Sequence, residues 1–209
     1  MRGRRIKTRV VALLAYSLVL VGLWQASSGA WIYVKAQLAQ VLLQRAWAGT
    51  LARQQDVKPW PWADTWPIAR LIVPRLGIDQ IVLEGAYGRT LAFGPAHVES
   101  RSDAREGTVI LTGHRDTHFA FLEHVQTGER FVLQSSNGHI RSYRVGDHRI
   151  VDSRSGRILL DREHPGLVLV TCYPFHTAIP GGPLRLVVTA EAEDIEMERK
   201  VRTVGTSGG

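Results

Sequence analysis

The chain has little cysteine: Cys172 is the only one in 209 residues. A single thiol excludes an internal disulfide framework and a cysteine-based zinc finger. Free cysteine is among the most buried residue types, so an inert core residue is the plainest interpretation of Cys172. Whether the thiol has a further role depends on where the protein resides and on which side chains reach the sulfur.

Acidic residues are absent from residues 1–9, which carry five basic ones. The net charge of +7 therefore leaves only +2 (7 − 5) for the other 200 residues. No basic stripe interleaved with aromatic residues follows, so a nucleic-acid partner is not expected. We also expect no cofactor and no metal ion.

Charges of either sign are missing from residues 10–34, an uncharged stretch of 25 residues. As a helix it would be about 37 Å long, enough to cross a hydrocarbon core of about 30 Å. The basic residues 1–9 would stay in the cytoplasm, so we expect a single-pass anchor in the inner membrane, with the remainder of the chain on the outer side. A cleaved signal peptide is the alternative, because residues 28–30 (Ser-Gly-Ala) resemble a processing site.

Residues 35–67 form the expected link between anchor and domain. Helical spacing predicts an amphipathic helix, a solvated stalk that rests on the membrane or the domain, and its stripe consists of Leu38, Val41, Leu42, Arg45 and Ala46. In KPWPWADTWP, residues 58–67, the prolines predict an extended segment whose three indoles pack onto the following domain. Contact of these tryptophans with a substrate is the second interpretation.

Residues 68–190 show no βαβ alternation. Short β-like runs separated by turn residues predict an all-β domain, either a closed or nearly closed barrel or a sandwich, around one core. The runs are ARLIVPRLGI, QIVLEG, TVILTGH, RFVLQSS, IRSYRVGDHRIV, GLVLVTC and LRLVVTAEAE. Residues 191–209 turn charged and then Gly/Ser-rich, so a polar tail with a disordered end is expected.

Three of these runs carry reactive residues near their ends. One run leads into His114, another ends at Cys172, and a third has Arg185 at its second position. If residues 173–183 join adjacent antiparallel strands, Cys172 and Arg185 are neighbours. His114 reaches the same rim only if its strand runs parallel to the Cys172 strand, and the sequence by itself leaves that pairing open.

Together, such residues support acyl transfer. A thiol becomes a strong nucleophile when a base removes its proton or a cation favours the thiolate. An imidazole can protonate a leaving amine and later deprotonate an incoming one. A guanidinium can donate to the oxyanion that forms on an attacked carbonyl.

The motifs TGHRD around His114, LVTCYPF around Cys172 and PGGPLR ending at Arg185 resemble the sortase family. The segments RLIVPRLGI and LAFGPAHV extend the resemblance over the whole exported domain. The Trp-Pro segment and its upstream helix are similar to the class D-like variety found in marine proteobacteria. The resemblance implies a membrane-anchored cysteine transpeptidase on an eight-stranded β-barrel, with the His and Cys strands parallel.

The resemblance also implies roles for these residues. Cys172 would attack the Thr–Gly carbonyl of an LPxTG-like signal near a substrate protein's C-terminus, His114 would serve as general acid and base, and Arg185 would stabilise the oxyanion. An amine of unidentified source would resolve the thioester. Often such a sortase has one dedicated substrate protein.

Supporting candidates and rival functions remain open at this stage. Thr171 could line the site, Asp116 could orient a histidine or simply pair with its neighbour Arg115, and His118 could assist or compete with His114. The same residues would serve a cysteine endopeptidase that passes the acyl group to water. A membrane-tethered β-barrel binding module with a buried cysteine is the non-catalytic alternative.

Overall fold

The computed structural model describes residues 2–98, 107–155, 166–177 and 181–193, with side chains from Leu13 onward. The chain divides into two compact units, residues 1–41 and 42–209. One long helix comes first and eight strands follow. They are α1 (Arg2–Arg53), β1 (Pro67–Val73), β2 (Ile78–Glu84), β3 (Ala96–His97), β4 (Val109–Thr112), β5 (Arg130–Ser135), β6 (Ile140–Asp152), β7 (Gly166–Cys172) and β8 (Leu184–Ala192).

The eight strands form a closed barrel in the order β1-β2-β3-β4-β7-β8-β6-β5, and β1 pairs with β5 to complete the ring. Two neighbouring pairs, β2–β3 and β4–β7, are parallel, and the other pairs are antiparallel. The expected all-β fold, an eight-stranded barrel preceded by an apolar helix, is therefore confirmed.

Side chains of β7 alternate between the barrel interior and its outer face. Leu167 and Leu169 are fully buried in the main core cluster, and Thr171 continues their inward-facing series. Cys172 is the next residue and is partly exposed on the outer face. The strand thus supplies a core-anchored platform whose last residue carries the thiol outside the barrel.

The C-terminal part of α1 packs against the barrel. Leu43 and Trp47, one turn apart, are buried with Leu83 of β2. Ala46 is also buried. The buried face of this part of the helix therefore includes Ala46, which belongs to the predicted stripe, and Leu43 and Trp47, which do not.

The Trp-Pro segment is a turn rather than an extended strand. The Trp60 carbonyl accepts a hydrogen bond from Ala63 N at 3.0 Å. Trp60 stacks edge-on against Phe93, with ring centroids 5.0 Å apart. Trp62 is 82% exposed, so the expectation that all three indoles pack onto the domain is wrong for this residue. In an extended segment Trp60 and Trp62, two residues apart, would project on the same side, whereas the turn leaves Trp62 exposed while Trp60 contacts Phe93.

Within the described residues, one helix is long and apolar enough to cross a membrane, the Leu13–Arg53 part of α1. Its large apolar side chains between Leu13 and Val34 are exposed. Apolar side chains without protein cover suit contact with lipid, although a signal sequence has the same property.

Candidate active site

Parallel pairing of β4 and β7 places His114 beside Cys172. The two strands run in register, with Thr112 opposite Val170. The pairing continues one residue further, because Gly113 N donates to the Val170 carbonyl at 3.3 Å. Two residues beyond each matched position, His114 and Cys172 leave the barrel at the same rim. The condition that the sequence left open is met.

Arg185 lies directly opposite Cys172 in the antiparallel pair of β7 and β8. Directly opposed residues in such a pair project on the same face of the sheet. The arginine, like the cysteine, is partly exposed, and His114 is exposed. A thiol, an imidazole and a guanidinium therefore come from three consecutive strands of the barrel, β4, β7 and β8.

The turn before β8 holds the Arg185 guanidinium. One terminal nitrogen, Nη1, donates to the Gly182 carbonyl at 2.6 Å and to the Leu184 carbonyl at 2.8 Å. Gly181, with φ +82°, adopts a left-handed conformation that favours glycine. Because these carbonyls occupy only one of the guanidinium's three nitrogens, the fork retains donors for a substrate.

Asp152 of β6 places a carboxylate near Arg185, on the side of β8 away from β7. Asp152 of β6 is the strand partner of Leu184 and accepts hydrogen bonds from Arg154 Nε at 3.1 Å and Nη2 at 2.7 Å. These bonds hold the pKa of Asp152 at about 2, and the charge of Arg185 contributes to the shift. A fixed negative charge therefore lies within electrostatic reach of Arg185.

Thr171 connects the cysteine strand to the histidine strand. Its side chain is buried, with 2% of the residue exposed. The hydroxyl donates to the Gly113 carbonyl at 2.7 Å, one residue before His114. Thr171 faces the interior, so the structure assigns it a hydrogen bond beneath the site instead of a place in its lining.

The part of the chain that forms the barrel matches a known family. Residues 71–193, more than half of the chain, match the sortase domain. The chain belongs to the sortase family. Sortase D of Bacillus subtilis (strain 168) is 30% identical over 120 residues, which cover 56% of this chain and 60% of that protein. The chain thus spans 60% of the length of that curated relative.

Solved sortases share the fold of this chain. The Clostridium perfringens Sortase D5 transpeptidase aligns with a TM-score of 0.60 at 16% identity, covering 76% of this chain and 99% of the other. Sortase A from Corynebacterium diphtheriae gives 0.56 at 18% identity, with 78% and 86% covered. The pilus-related Sortase C of Group B Streptococcus gives 0.54 at 22% identity, with 62% and 69% covered. A class D-like assignment is consistent with these relatives.

Two of the supporting candidates lie on the loop that follows β4 of this sortase. Asp116 Oδ1 lies 3.4 Å from Arg115 Nε, which is the local ion pair that the sequence offered as the simpler alternative. Burial lowers the pKa of His118, the nearby His114 lowers it further, and a hydrogen bond with the Leu91 backbone acts in the opposite direction. The folded chain therefore favours the neutral form of His118.

Gly113, immediately before His114 in this sortase, packs closely against the Phe119 ring. A Cβ on Gly113 would lie 2.9–3.1 Å from three ring atoms of Phe119. Phe119 is fully buried, and its backbone N donates to the His114 carbonyl at 2.9 Å. Only glycine lets the aromatic ring approach the strand this closely.

Sequence reasoning missed two further contacts between the loops of this sortase site. Arg115 Nη1 donates to the Pro174 carbonyl at 2.9 Å. His176 Nε2 lies 2.7 Å from Glu123 Oε2, linking the segment after the cysteine to the 3₁₀ helix at Ala120–His124. Both contacts join segments about 55 residues apart in the sequence, and no local pattern signals such pairs.

Proposed function

We propose that this sortase is a membrane-anchored cysteine transpeptidase in which Cys172 is the nucleophile. The observation that carries the proposal is the strand register: Cys172 faces Arg185 across β7–β8, and His114 follows the parallel strand β4 by two residues on the other side. The family supports a protein substrate with a sorting signal. The LPxTG-like form of that signal rests on the resemblance of the site motifs.

In the proposed reaction, the Cys172 thiol gives its proton to His114 and the sulfur attacks the carbonyl carbon between Thr and Gly of the signal. Electrons move onto the carbonyl oxygen, where the Arg185 guanidinium donates hydrogen bonds. As the C–N bond breaks, His114 gives a proton to the departing glycine amine. The product is a thioester between Cys172 and the threonine carbonyl.

The second half of the reaction reverses the proton transfer. An incoming amine attacks the thioester carbon, and His114 accepts the amine's proton as the new amide forms. The C–S bond then breaks, and the sulfur leaves as a thiolate that His114 can reprotonate. Water in place of the amine would give a carboxylic acid, the endopeptidase outcome.

A product assay tests this function. The full chain in detergent is incubated with an LPxTG-like peptide, with and without a glycine-based amine, and products are separated by mass spectrometry. We expect cleavage between Thr and Gly and an amide product that appears only with the amine. Cleavage that yields only the free acid would favour the endopeptidase, and no cleavage of any LPxTG-like peptide would contradict the proposed substrate class.

We further propose that residues 10–34 are a retained membrane anchor, with residues 1–9 in the cytoplasm and residues 35–67 linking it to the catalytic barrel at 68–190. The exposed apolar surface of α1 and the basic N-terminus support this topology. The polar tail predicted for 191–209 falls outside the described residues from residue 194 onward.

Alkaline carbonate washing tests the membrane anchor and should leave the full-length chain in the membrane pellet. A soluble product beginning near Trp31 would indicate a cleaved signal instead.

A further inference from the structure

Two hydrogen bonds between side chains and backbone connect the cysteine and histidine segments in opposite directions. Thr171, immediately before Cys172, donates to the carbonyl of Gly113, immediately before His114, at 2.7 Å. Arg115, immediately after His114, donates to the carbonyl of Pro174, two residues after Cys172, at 2.9 Å. The two reactive residues therefore lie between a bond that precedes them and a bond that follows them.

The burial of Arg115 distinguishes it from the other arginines that the structure describes. Only 7% of the residue is exposed, and it is the one buried arginine among the described residues. Burying a guanidinium is costly unless hydrogen bonds replace its water. Its ion-pair partner Asp116 has 66% of its side chain exposed, so this pair is weak compensation. The charge-assisted bond to the Pro174 carbonyl is stronger than this exposed pair.

Backbone hydrogen bonds between β4 and β7 end before His114 and Cys172 are reached. Among the described residues, the last backbone bond between the two segments runs from Gly113 N to the Val170 carbonyl, and β7 continues beside β8 to Cys172. Beyond this last backbone bond, Arg115 connects the two segments through its bond to the Pro174 carbonyl. Without it, the loop that starts at His114 and the loop that follows Cys172 would lose a direct connection on the side where substrate must bind.

We propose that Arg115 is a positioning residue that sets the spacing between the His114 imidazole and the Cys172 thiol. It acts through the backbone of Pro174. The consequence for turnover rests on the proposed transpeptidase function. Displacing a catalytic group by about 1 Å can cost about 10²-fold in rate, so a residue that fixes the two loops at this location has a large effect.

Arg115→Met tests the proposal, because methionine fills a similar buried volume without donors or charge. We expect kcat to fall about 10²-fold with little change in KM. Arg115→Lys retains a cation and one flexible donor, so it should recover part of the loss. If Met disturbs folding, Arg115→Lys is compared with wild type alone, and its kcat should lie below the wild-type value.

The matched control is Arg144→Met. Arg144 also donates to a backbone carbonyl, that of Gly128, at 3.0 Å. Its strand partner Glu191 is opposite Gly166, the first residue of β7. Six residues of strand, about 20 Å at about 3.3 Å per residue, separate that level from Cys172. Arg144→Met should leave kcat at the wild-type value.

A second measurement needs no peptide substrate. The alkylation rate of Cys172 by iodoacetamide is recorded against pH with and without His114→Ala, and the difference between the two profiles reports the imidazole's influence on the thiol. We expect this difference to be present in the wild-type and Arg144→Met backgrounds and to shrink strongly in Arg115→Met.

The outcomes separate the two proposals. If wild type fails on peptides while the His114-dependent difference disappears in Arg115→Met, the substrate proposal is wrong and the positioning role stands. An Arg115→Met variant that loses thermal stability but keeps the full His114-dependent difference has only a structural role, which overturns the inference. It is also overturned if His114→Ala leaves the wild-type alkylation profile unchanged, because there is then no coupling to maintain.

Discussion

Replacing Thr171 with valine removes one buried hydroxyl and keeps the shape of the side chain. The hydroxyl donates to the Gly113 carbonyl at 2.7 Å, and 2% of Thr171 is exposed. Water cannot take the place of the lost donor at such a site. Leaving a buried acceptor without its donor costs about 1–3 kcal/mol, so the free energy of unfolding should fall by about that amount.

Chemical unfolding of the full chain in detergent, followed by tryptophan fluorescence, measures this loss. Thr189→Val is the matched control on the neighbouring strand, because its hydroxyl makes only a 3.5 Å contact with the Asp147 carbonyl. It should change the free energy of unfolding by no more than about 0.5 kcal/mol. Thr171→Val should also lower the peptide-cleaving activity, because the lost bond holds Gly113, the residue before His114. Thr171→Ser retains the donor and should keep most of this activity. Equal stabilities for Thr171→Val and wild type would refute the reasoning.

Three other substitutions test the site. Gly113→Ala forces a methyl group against the Phe119 ring, so the free energy of unfolding should fall by about 1–3 kcal/mol. An unfolding midpoint equal to that of wild type would contradict this close approach. Arg185→Lys cannot both hold the turn carbonyls and donate to the oxyanion, and it should lower kcat about 10²–10³-fold; a folded variant at the wild-type rate would remove this role. His118 has a pKa below its ordinary value of 6.5 in the folded chain, so its stabilising contribution is present above that value and is lost as the pH falls through the folded-state pKa. Unfolding measured from about pH 7 down to about pH 5 should show a smaller loss of stability in His118→Gln than in wild type, and identical curves would exclude this linkage.

Much of the barrel follows from the period of the apolar residues. The runs ending at His114 and Cys172 have the length and β-branched composition of buried strands, and a reactive residue at the end of each signals a rim. The strand β3, Ala96–His97, was not predicted as a separate element. Two residues are too few for any alternation to be visible, and their conformation depends on pairing with β2 and β4.

The site needed tertiary information that no local pattern contains. The neighbour relation of Cys172 and Arg185 could be inferred from a short connection between antiparallel strands. The parallel partnership that brings in His114 could not, because β4 and β7 are far apart in the sequence. The same reason hides the contact of Arg115 with Pro174, since next to Asp116 the arginine looks like an ordinary surface charge.

The most direct test of the account is to find where an LPxTG-like peptide becomes attached. The full chain is incubated with the peptide, quenched in acid and analysed by intact mass and by peptide mapping, in parallel with Cys172→Ser. The account predicts an acyl adduct on Cys172 that carries the peptide up to its threonine, and no adduct on the serine variant. An adduct that persists in Cys172→Ser, or cleavage that continues after the only thiol is alkylated, would contradict it.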